Sequence, residues 1–494
     1  MMDVILTYIV FVPMVFAVIM GVFQVRHTFL RMGAMLSALI VLSLTLTAAW
    51  HFDPGVDGMQ FVRHLPWIEH YGITYYLGVD ALSLILLLVI ALLMPILHLY
   101  MWHYETKGYW YNMLLLQTGV TGAVLALDMV LFYLFWETML LPIFIMIGRY
   151  GHDMHRIHAM KILIFTILGS MAMLFAILYL GYAHYALHGV WSFAYRDLAS
   201  LPLDPSIAGW LAAGFLLAFA IKIPLLGFHT WMAPAYSSAP TPALVILSAI
   251  MAKLGIYGLW RFGYGIFGKV LHLYEPLLLT LALVGMLYYA IHAITQNDLR
   301  RMFAYSSGSH LSLIALGVVL ANIYTWSGSL YLIATHALAT AGIFLMIGLI
   351  HQRTGSVQID QLGGIASVAP RFAFFFMFFA LSITGVPGTG GFVAELLIII
   401  GAFTYHPWIG MATATTMLAA MLFVFWMLQR TLFGTPRSST ASFGDLTATE
   451  MLMLTPLLIL LLLTGIAPSL FTPLFEPQIQ AELMRFIHTA GGAL

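Results

Sequence analysis

Apolar runs long enough to cross a bilayer recur along almost the whole chain, from the N-terminus to about residue 470. Fourteen runs of at least about 17 apolar residues are separated only by short polar or Gly/Pro-bearing links, and a membrane-spanning helix needs roughly 20 such residues. Because 62% of the 494 residues are hydrophobic and only 8% are charged, a soluble fold is excluded. The sequence predicts an all-α polytopic membrane protein with about 14 transmembrane helices.

We number the predicted spans in chain order. They cover residues 2–22, 30–49, 79–101, 111–127, 129–148, 160–183, 208–232, 240–262, 275–295, 302–321, 326–350, 370–405, 408–433 and 450–470.

The basic residues divide unequally between the two sides of the predicted bundle. Twelve lie in the alternate loops that begin after the first span, five lie in the others, and the last two of the 19 are inside spans, at Lys222 and Lys253. Cytoplasmic loops carry the excess of basic residues, so both termini are predicted to face the outside. The five basic residues assigned to the outer side are Arg63, Arg196, Arg261, Lys269 and Arg485.

The seventh and twelfth spans contain residues that a continuous helix does not tolerate. Pro224 follows Lys222 by two residues, and a proline inside a helix loses the hydrogen bond to the carbonyl four residues back. The twelfth span contains Pro387 within the run TGVPGTGG at 384–391, which cannot continue a helix. We therefore predict that helices 7 and 12 are broken.

These two breaks lie five spans apart, which indicates an internal duplication. Spans 4–8 and 9–13 would then form two five-helix repeats, and their odd offset gives them opposite orientations, as in transporters with inverted repeats. The predicted domains are 1–110 with the first three helices, 111–262 with the first repeat, 275–433 with the second repeat, and 450–494 with helix 14 and the tail.

Six titratable residues inside the apolar spans are candidates, and all but Glu395 lie near the middle of their span. A lysine at the centre of a bilayer helix costs about 2.5–3.5 kcal/mol on insertion scales, so each such residue is a functional candidate. Side chains that gain and lose protons at similar depths can form a row that conducts protons. The six residues are Glu137, Lys222, Lys253, His310, His336 and, beyond the twelfth break towards the outside, Glu395.

Each candidate also has a structural alternative. Lys222 can extend its ammonium to a membrane interface, and Glu137 can simply neutralise a lysine. Lys253 can bond backbone carbonyls where helices approach closely, near Gly258. The two histidines can be satisfied core residues, and Glu395 can clamp the glycine-rich break.

Composition excludes several classes of function. The 19 basic and 19 acidic residues give a net charge of zero, so no nucleic-acid partner is expected. A chain without cysteine cannot hold a Cys-ligated iron–sulfur cluster, and we expect no metal, haem or other cofactor in this chain. Asp80 and Asp128 stand at the starts of spans, where acidic N-caps are ordinary.

A set of motifs, in this order, resembles the antiporter-like subunits of respiratory complex I over spans 3–14. Any one motif alone would be weak, whereas the ordered set is specific. Glu395 favours the M-type branch, because L-type and N-type relatives and multisubunit sodium/proton antiporters usually have lysine there. The motifs are FYLFWE at 132–137, KIP at 222–224 with His229 and Trp231, APT at 239–241, KLGIYG at 253–258, AYSS at 304–307 with His310, and GGFVAE at 390–395.

The resemblance implies fourteen helices, two inverted repeats and a role for each candidate. By this resemblance, Glu137 and Lys222 are the charge-switching pair and Lys253 is the central relay. His310 and His336 are the link, and Glu395 is the terminal group. The chain departs from the family after Trp231, where Met232–Tyr236 replaces the usual Leu-Pro-Asp-Ala-His. Two polar groups near the cytoplasmic end of the seventh span are therefore missing, which puts the proton entry route there in question.

By this resemblance the chain is expected to be a proton-translocating subunit in the membrane arm of a bacterial NADH:quinone oxidoreductase, in the inner membrane. NADH, FMN, Fe–S clusters and quinone are expected in partner subunits, with L-type and N-type subunits and the lipid bilayer as neighbours. Two alternatives stay open at this point. One is a cation/proton antiporter subunit, and the other is a membrane subunit of a hydrogenase or inorganic-carbon uptake complex.

Overall fold

The computed structural model describes residues 2–489, most of which are helical. Within this part of the chain, twelve helical segments are long and apolar enough to cross a membrane, and they coincide with twelve of the predicted spans. The fourth predicted span is the 19-residue helix Lys107–Leu125, and the twelfth is a pair of shorter apolar helices. The prediction of a helical, multi-pass membrane protein is confirmed, with one small β-hairpin in addition.

The chain divides into two compact units. The first comprises the chain up to Lys222, then Leu254–Pro276, then the chain from Pro477 onward. It contains the π-helix Leu259–Tyr264. Its α-helices are Ile5–Val22, His27–His51, Ala81–Tyr100, Lys107–Leu125, Met129–Thr138, Leu140–Tyr150, His155–His188, Tyr195–Ala199, Pro205–Lys222, the end of Ala252–Gly258, Gly265–Leu271 and Glu476–Thr489.

An antiparallel hairpin in the first unit was not predicted. Strand β1, Gln60–Ile68, pairs with β2, Ile73–Val79, in a register that sets Arg63 opposite Leu77. Asp128 fixes β2 because its carboxylate accepts from the Thr74 amide at 2.9 Å. The hairpin fills the connection between the second and third spans.

The two acidic N-caps are found where the sequence predicts them. Asp80 accepts from the Ser83 amide at the start of Ala81–Tyr100, and Asp128 accepts from the Val130 and Leu131 amides at the start of the fifth span. Each carboxylate satisfies amide groups that the first helical turn leaves unpaired.

The fifth span is interrupted directly after Glu137, which was not predicted. One helix ends at Thr138 and the next begins at Leu140. Pro142 accounts for the interruption, because a proline nitrogen carries no hydrogen to donate to the carbonyl of Thr138, four residues back. A functional candidate therefore lies at a backbone irregularity that the sequence already encoded.

The second unit comprises Ile223–Lys253 and Leu277–Glu476. It contains the π-helix Leu247–Met251. Its α-helices are Met232–Ser238, Thr241–Ile246, nearly all of Glu275–Ile294, Leu299–Leu320, Ile323–Thr354, Ile365–Val368, Pro370–Ile383, Gly390–Tyr405, Pro407–Leu432 and Ala448–Ile466.

Both predicted helix breaks are present. The seventh span stops at Lys222 and resumes as the short helix Met232–Ser238, and the twelfth stops at Ile383 and resumes at Gly390. In the first break, the hydroxyl of Tyr289 donates to the carbonyl of Pro224 at 2.5 Å, so this freed backbone oxygen has a partner. Broken helices are tolerated at membrane depth where such partners exist.

The spans differ in how much surface they bury. Thr241–Leu271, Leu299–Leu320 and Ile323–Thr354 are almost wholly enclosed, whereas His27–His51 and Ala448–Ile466 expose most of their apolar surface. Exposed apolar faces of this kind suit contact with lipid or with another membrane subunit. Three of the six candidates, Lys253, His310 and His336, lie on the enclosed spans.

Candidate functional site

In the first unit, an aromatic ring brings an acid and a base together. The Lys222 ammonium lies 4.8 Å from the centre of the Trp136 ring, in a cation–π contact, and the charge of the adjacent Glu137 acts on it. Trp136 also packs against Phe219, one turn before Lys222, with the ring centres 6.0 Å apart. We call Glu137, Trp136 and Lys222 the first group.

The two ionisable members of this group are held differently. Lys222 is 4% exposed, whereas Glu137 is only half-buried. The Glu137 Oε1 atom is nevertheless enclosed and accepts no hydrogen bond within the described part of the chain. Lys222 is thus enclosed by protein, and its role in proton transfer stays a prediction.

In the second unit, Lys253 is wholly buried beside a π-helical turn. Its ammonium donates to the carbonyl of Ser248 at 2.6 Å, within the π-helix Leu247–Met251. π-Turns are rare and occur disproportionately at functional sites. A carbonyl partner matches the structural alternative for Lys253, although the same bond also orients an amine that can release a proton.

His310 joins two other candidates. Its Nδ1 atom lies 2.8 Å from the carbonyl of Ser306, and its Nε2 atom lies 3.3 Å from Glu395 Oε1. The ring stacks on His336 with the centres 5.0 Å apart. All three side chains are at most 5% exposed. We call Lys253, His310, His336 and Glu395 the second group.

The His310 contacts restrict where a proton can reside. A carbonyl oxygen only accepts, so Nδ1 carries the hydrogen that points at Ser306. A neutral ring would then present the Nε2 lone pair to a carboxylate, which is repulsive. The contact between Nε2 and Glu395 Oε1 falls short of a well-formed hydrogen bond, and it is favourable only when one proton lies on Nε2 or on the carboxyl group.

His336 completes the second group without any fixed partner of its own. Both of its ring nitrogens are buried and make no hydrogen bond to the residues described, and Lys253 is near enough for its charge to act on the ring. Buried polar atoms are almost always hydrogen-bonded, so these two nitrogens are unusual in having no partner among the described residues. A ring that bonds to water can pass protons between its neighbours.

The twelfth break shapes the position of Glu395. Gly385 has φ +66°, and a Cβ atom at this position would lie 2.7 Å from Glu395 Oε2. The carboxylate thus packs directly on the backbone of the break. This contact agrees with the clamp predicted as the structural alternative, and it also holds the carboxylate against His310.

One cluster of charged side chains was missed. Arg261, counted among the outer basic residues at the end of the predicted span 240–262, is 5% exposed within the candidate span Thr241–Leu271 and pairs with Asp80. Asp80 also accepts from Gln478 at 2.7 Å, and Glu482 lies 3.6 Å from Arg261.

This Asp80–Arg261–Glu482 cluster fastens the C-terminal helix Glu476–Thr489 to the rest of the first unit. Burial raises the pKa of Glu482, and the Asp80 carboxylate adds to this rise, while the Arg261 charge opposes it. The sequence signal for the cluster was an arginine within a 31-residue apolar stretch. Its partner is far along the chain, so no local pattern could have identified the pair.

Among residues 2–489, no three or more histidine and carboxylate side chains are arranged to hold a metal ion. The sequence contains no cysteine. The chemistry that both groups can perform with their own atoms is the uptake, exchange and release of protons.

The comparisons with known proteins agree with the geometry. The family model described as NADH:quinone oxidoreductase/Mrp antiporter matches residues 126–422, a range that contains all six candidates. NADH-quinone oxidoreductase subunit M of Rhodobacter capsulatus is 33% identical over 468 residues, covering 92% of this chain and 90% of that one.

Two solved structures extend the likeness to the whole fold. A chain of respiratory complex I from Thermus thermophilus with bound NADH superposes with a TM-score of 0.89, 28% identity and full coverage of both chains. A chain of the Mrp complex from Dietzia sp. gives a TM-score of 0.86 at 20% identity over 99% of each chain, which shows a shared fold alone. This chain therefore belongs to the family of NADH:quinone oxidoreductase/Mrp antiporter transmembrane proteins.

Proposed function

We propose that this chain is a proton-translocating subunit in the membrane arm of an NADH:quinone oxidoreductase. The relative from Rhodobacter capsulatus is a subunit of that enzyme, and the structural match at 28% identity comes from respiratory complex I. The observation that carries the proposal is the His310–Glu395 pair, which is buried in an apolar interior and arranged to hold one proton.

The energies involved suit this task. Two unit charges about 4 Å apart interact by about 4 kcal/mol at an effective dielectric constant near 20. Moving one proton against about 150 mV costs about 3.5 kcal/mol. Making or breaking one such contact therefore changes the free energy of a bound proton by the amount that pumping requires.

Each group has its own task in this proposal. Glu137 and Lys222 form a pair, and a change in the distance between them changes the electrostatic potential at a neighbouring proton site. Lys253 acts as a relay, His310 and His336 pass the proton on, and Glu395 is the last group before release. The row through all six residues and the two inverted repeats remain predictions from the sequence.

The redox chemistry belongs to partner subunits in this account. NADH, FMN, Fe–S clusters and quinone would bind there, and this chain would serve as the translocase module, flanked by L-type and N-type subunits. In this proposal the chain lies in the inner membrane of a bacterium, with both termini on the periplasmic side.

Purification tests the proposal. A tagged copy of this chain, extracted gently from its native membrane, should bring with it subunits that carry FMN and iron–sulfur clusters, and the assembly should acidify the inside of inverted vesicles when NADH is added. Isolation only with other antiporter-like subunits, with sodium/proton exchange that needs no NADH, would assign the chain to the antiporter alternative.

A further inference from the structure

The Trp136 ring that supports Lys222 is held from two sides by other aromatic rings. It packs against Phe219 with the ring centres 6.0 Å apart, and against Phe132 with the centres 5.4 Å apart. Trp136 is 3% exposed and both phenylalanines are at most 1% exposed. Because protein interiors are close-packed, the position of the Trp136 ring depends on what the two phenylalanines rest on.

Both phenylalanines rest on one short segment of the eighth span, from Gly258 to Phe262. A Cβ atom on Gly258 would lie 2.3 Å from Phe219 Cε1, so the Phe219 ring lies directly on the glycine backbone. Phe262, about one turn further along, packs against Phe132 with the ring centres 4.5 Å apart. This segment therefore supports the Trp136 ring through two separate aromatic contacts.

The segment is itself anchored to other spans of the first unit. The hydroxyl of Tyr257, directly before the segment, donates to the carbonyl of Val124 at 2.8 Å. Arg261, within the π-helix Leu259–Tyr264, pairs with the buried Asp80. Because these contacts fix the segment, a side-chain atom added to its glycine would displace the Phe219 ring and not the span.

Such a displacement would reach the Lys222 ammonium. The ammonium lies 4.8 Å from the centre of the Trp136 ring, and a cation–π contact is effective only within about 6 Å. Phe219 packs directly on this ring, so a shift of Phe219 changes the distance or the tilt of the ring beneath the ammonium. The absence of a side chain at Gly258 is thus part of how Lys222 is held.

We propose that Gly258 and Phe219 are positioning residues for Lys222. The glycine allows the Phe219 ring to come close enough to hold Trp136 against the ammonium, and this contact sets how firmly the switch of the first group holds its charge. The inference rests on the proposed function, in which Lys222 belongs to that switch.

The test measures NADH-driven proton pumping by the assembled complex in vesicles, normalised to assembled complex. Gly258→Ala should lower pumping about fivefold, the factor that a cation–π contact contributes. Gly209→Ala is the matched control, because it makes the same substitution on the helix Pro205–Lys222, where the new Cβ atom would meet the Tyr274 hydroxyl at an ordinary 3.7 Å. The control variant should pump normally.

A compensating substitution separates positioning from general damage to the core. Phe219→Leu, added to Gly258→Ala, makes room for the new methyl group and should restore pumping to within about twofold of the wild type. A second reduction of a buried side chain does not repair a core that has merely lost stability. An unrepaired defect in the double variant would contradict the positioning role.

A double-mutant cycle with the ring itself gives a second readout. Trp136→Leu removes the ring on which Lys222 lies, and adding Gly258→Ala to this variant should cause no further loss of pumping. The displaced Phe219 then has no ring to move, so the two losses should not multiply. Losses that do multiply would show that Gly258 acts independently of Trp136 and would overturn the inference.

The outcomes also distinguish this inference from the proposed function. Normal pumping by Gly258→Ala, alongside a defect in Lys222→Ala, would overturn the positioning role and leave the proposed function intact. Normal pumping by both variants would overturn the proposed function as well. If Gly258→Ala does not assemble, Phe219→Leu alone decides, because it removes the support of Trp136 from the other direction. It should also lower pumping about fivefold, and normal pumping there would overturn the inference.

Discussion

The two groups of buried ionisable side chains hold their charges in different ways. In the first group, Lys222 rests on the face of Trp136, and an enclosed oxygen of Glu137 has no partner among the described residues. In the second, His310 Nε2 lies 3.3 Å from Glu395 Oε1, without a well-formed hydrogen bond, and the ring is oriented by a backbone carbonyl. An ammonium group bound only through a cation–π contact can change its partner at a low cost in free energy. A histidine in contact with a carboxylate binds the shared proton more firmly. The first group is therefore suited to switching and the second to storing and releasing a proton.

The largest effect is expected from removing the switch. Lys222→Ala or Glu137→Gln should lower NADH-driven pumping about a hundredfold, as for the loss of an essential proton-transfer group, while the complex still assembles. Pumping by reconstituted vesicles measures this. Lys161→Ala, in a half-exposed position of His155–His188, is the control and should be neutral. Wild-type pumping in either first-group variant would remove the distinction between the groups.

Lys253→Arg should have the next largest effect, about a tenfold loss of pumping. The charge is kept, but a guanidinium stays protonated and cannot relay. Lys253 is wholly buried against the Ser248 carbonyl, so assembly must be quantified together with pumping. Lys269→Arg, at an exposed position, is the matched control. If the assembled arginine variant pumps normally, Lys253 is only a structural lysine.

A pair of glycines can separate the Glu395 contact from the strain of the break. Gly385 and Gly388 both have positive φ, so alanine at either position costs about 1–3 kcal/mol of stability. Only at Gly385 would the added Cβ also meet the Glu395 carboxylate, since nothing lies within 4 Å at Gly388. We expect both variants to lower the inactivation temperature of the complex, but only Gly385→Ala to impair pumping in the surviving enzyme. Equal pumping would show that the contact with Gly385 does not position Glu395.

Tyr289→Phe should have the smallest effect. It leaves the buried Pro224 carbonyl without its hydroxyl partner, at a cost of about 1–3 kcal/mol. Thermal inactivation of the assembled complex should shift down by a few degrees, with the pumping stoichiometry unchanged. A changed stoichiometry would mean that this break takes part in proton transfer.

The spans and the helix breaks with the strongest sequence signals were predictable from the sequence, and the physical reasons are local. Apolar runs must be helical in a bilayer because their backbone groups have no water to bond. Pro224 and the Gly/Pro run around Pro387 end helices by themselves. The interruption at Thr138 was encoded as well, by Pro142, but it was overlooked because Met129–Tyr150 is strongly apolar apart from Glu137 and Arg149.

Features that depend on distant partners could not be predicted from the sequence. Arg261 pairs with Asp80, which lies 181 residues earlier in the chain. The six candidates were identifiable one by one, because an ionisable residue within an apolar span is unusual. Their division into two groups, with His310 in contact with both His336 and Glu395, required the structure.

The most direct test of the central claim is proton pumping by Glu395→Gln. The amide keeps the shape of the side chain and its packing on the break but cannot hold the proton shared with His310. We predict that the assembled complex oxidises NADH while its pumping falls about tenfold or more. Glu395→Lys should retain part of the pumping, because it restores a titratable group. Pumping by Glu395→Gln equal to that of the wild type would contradict the account and leave Glu395 as a clamp of the helix break.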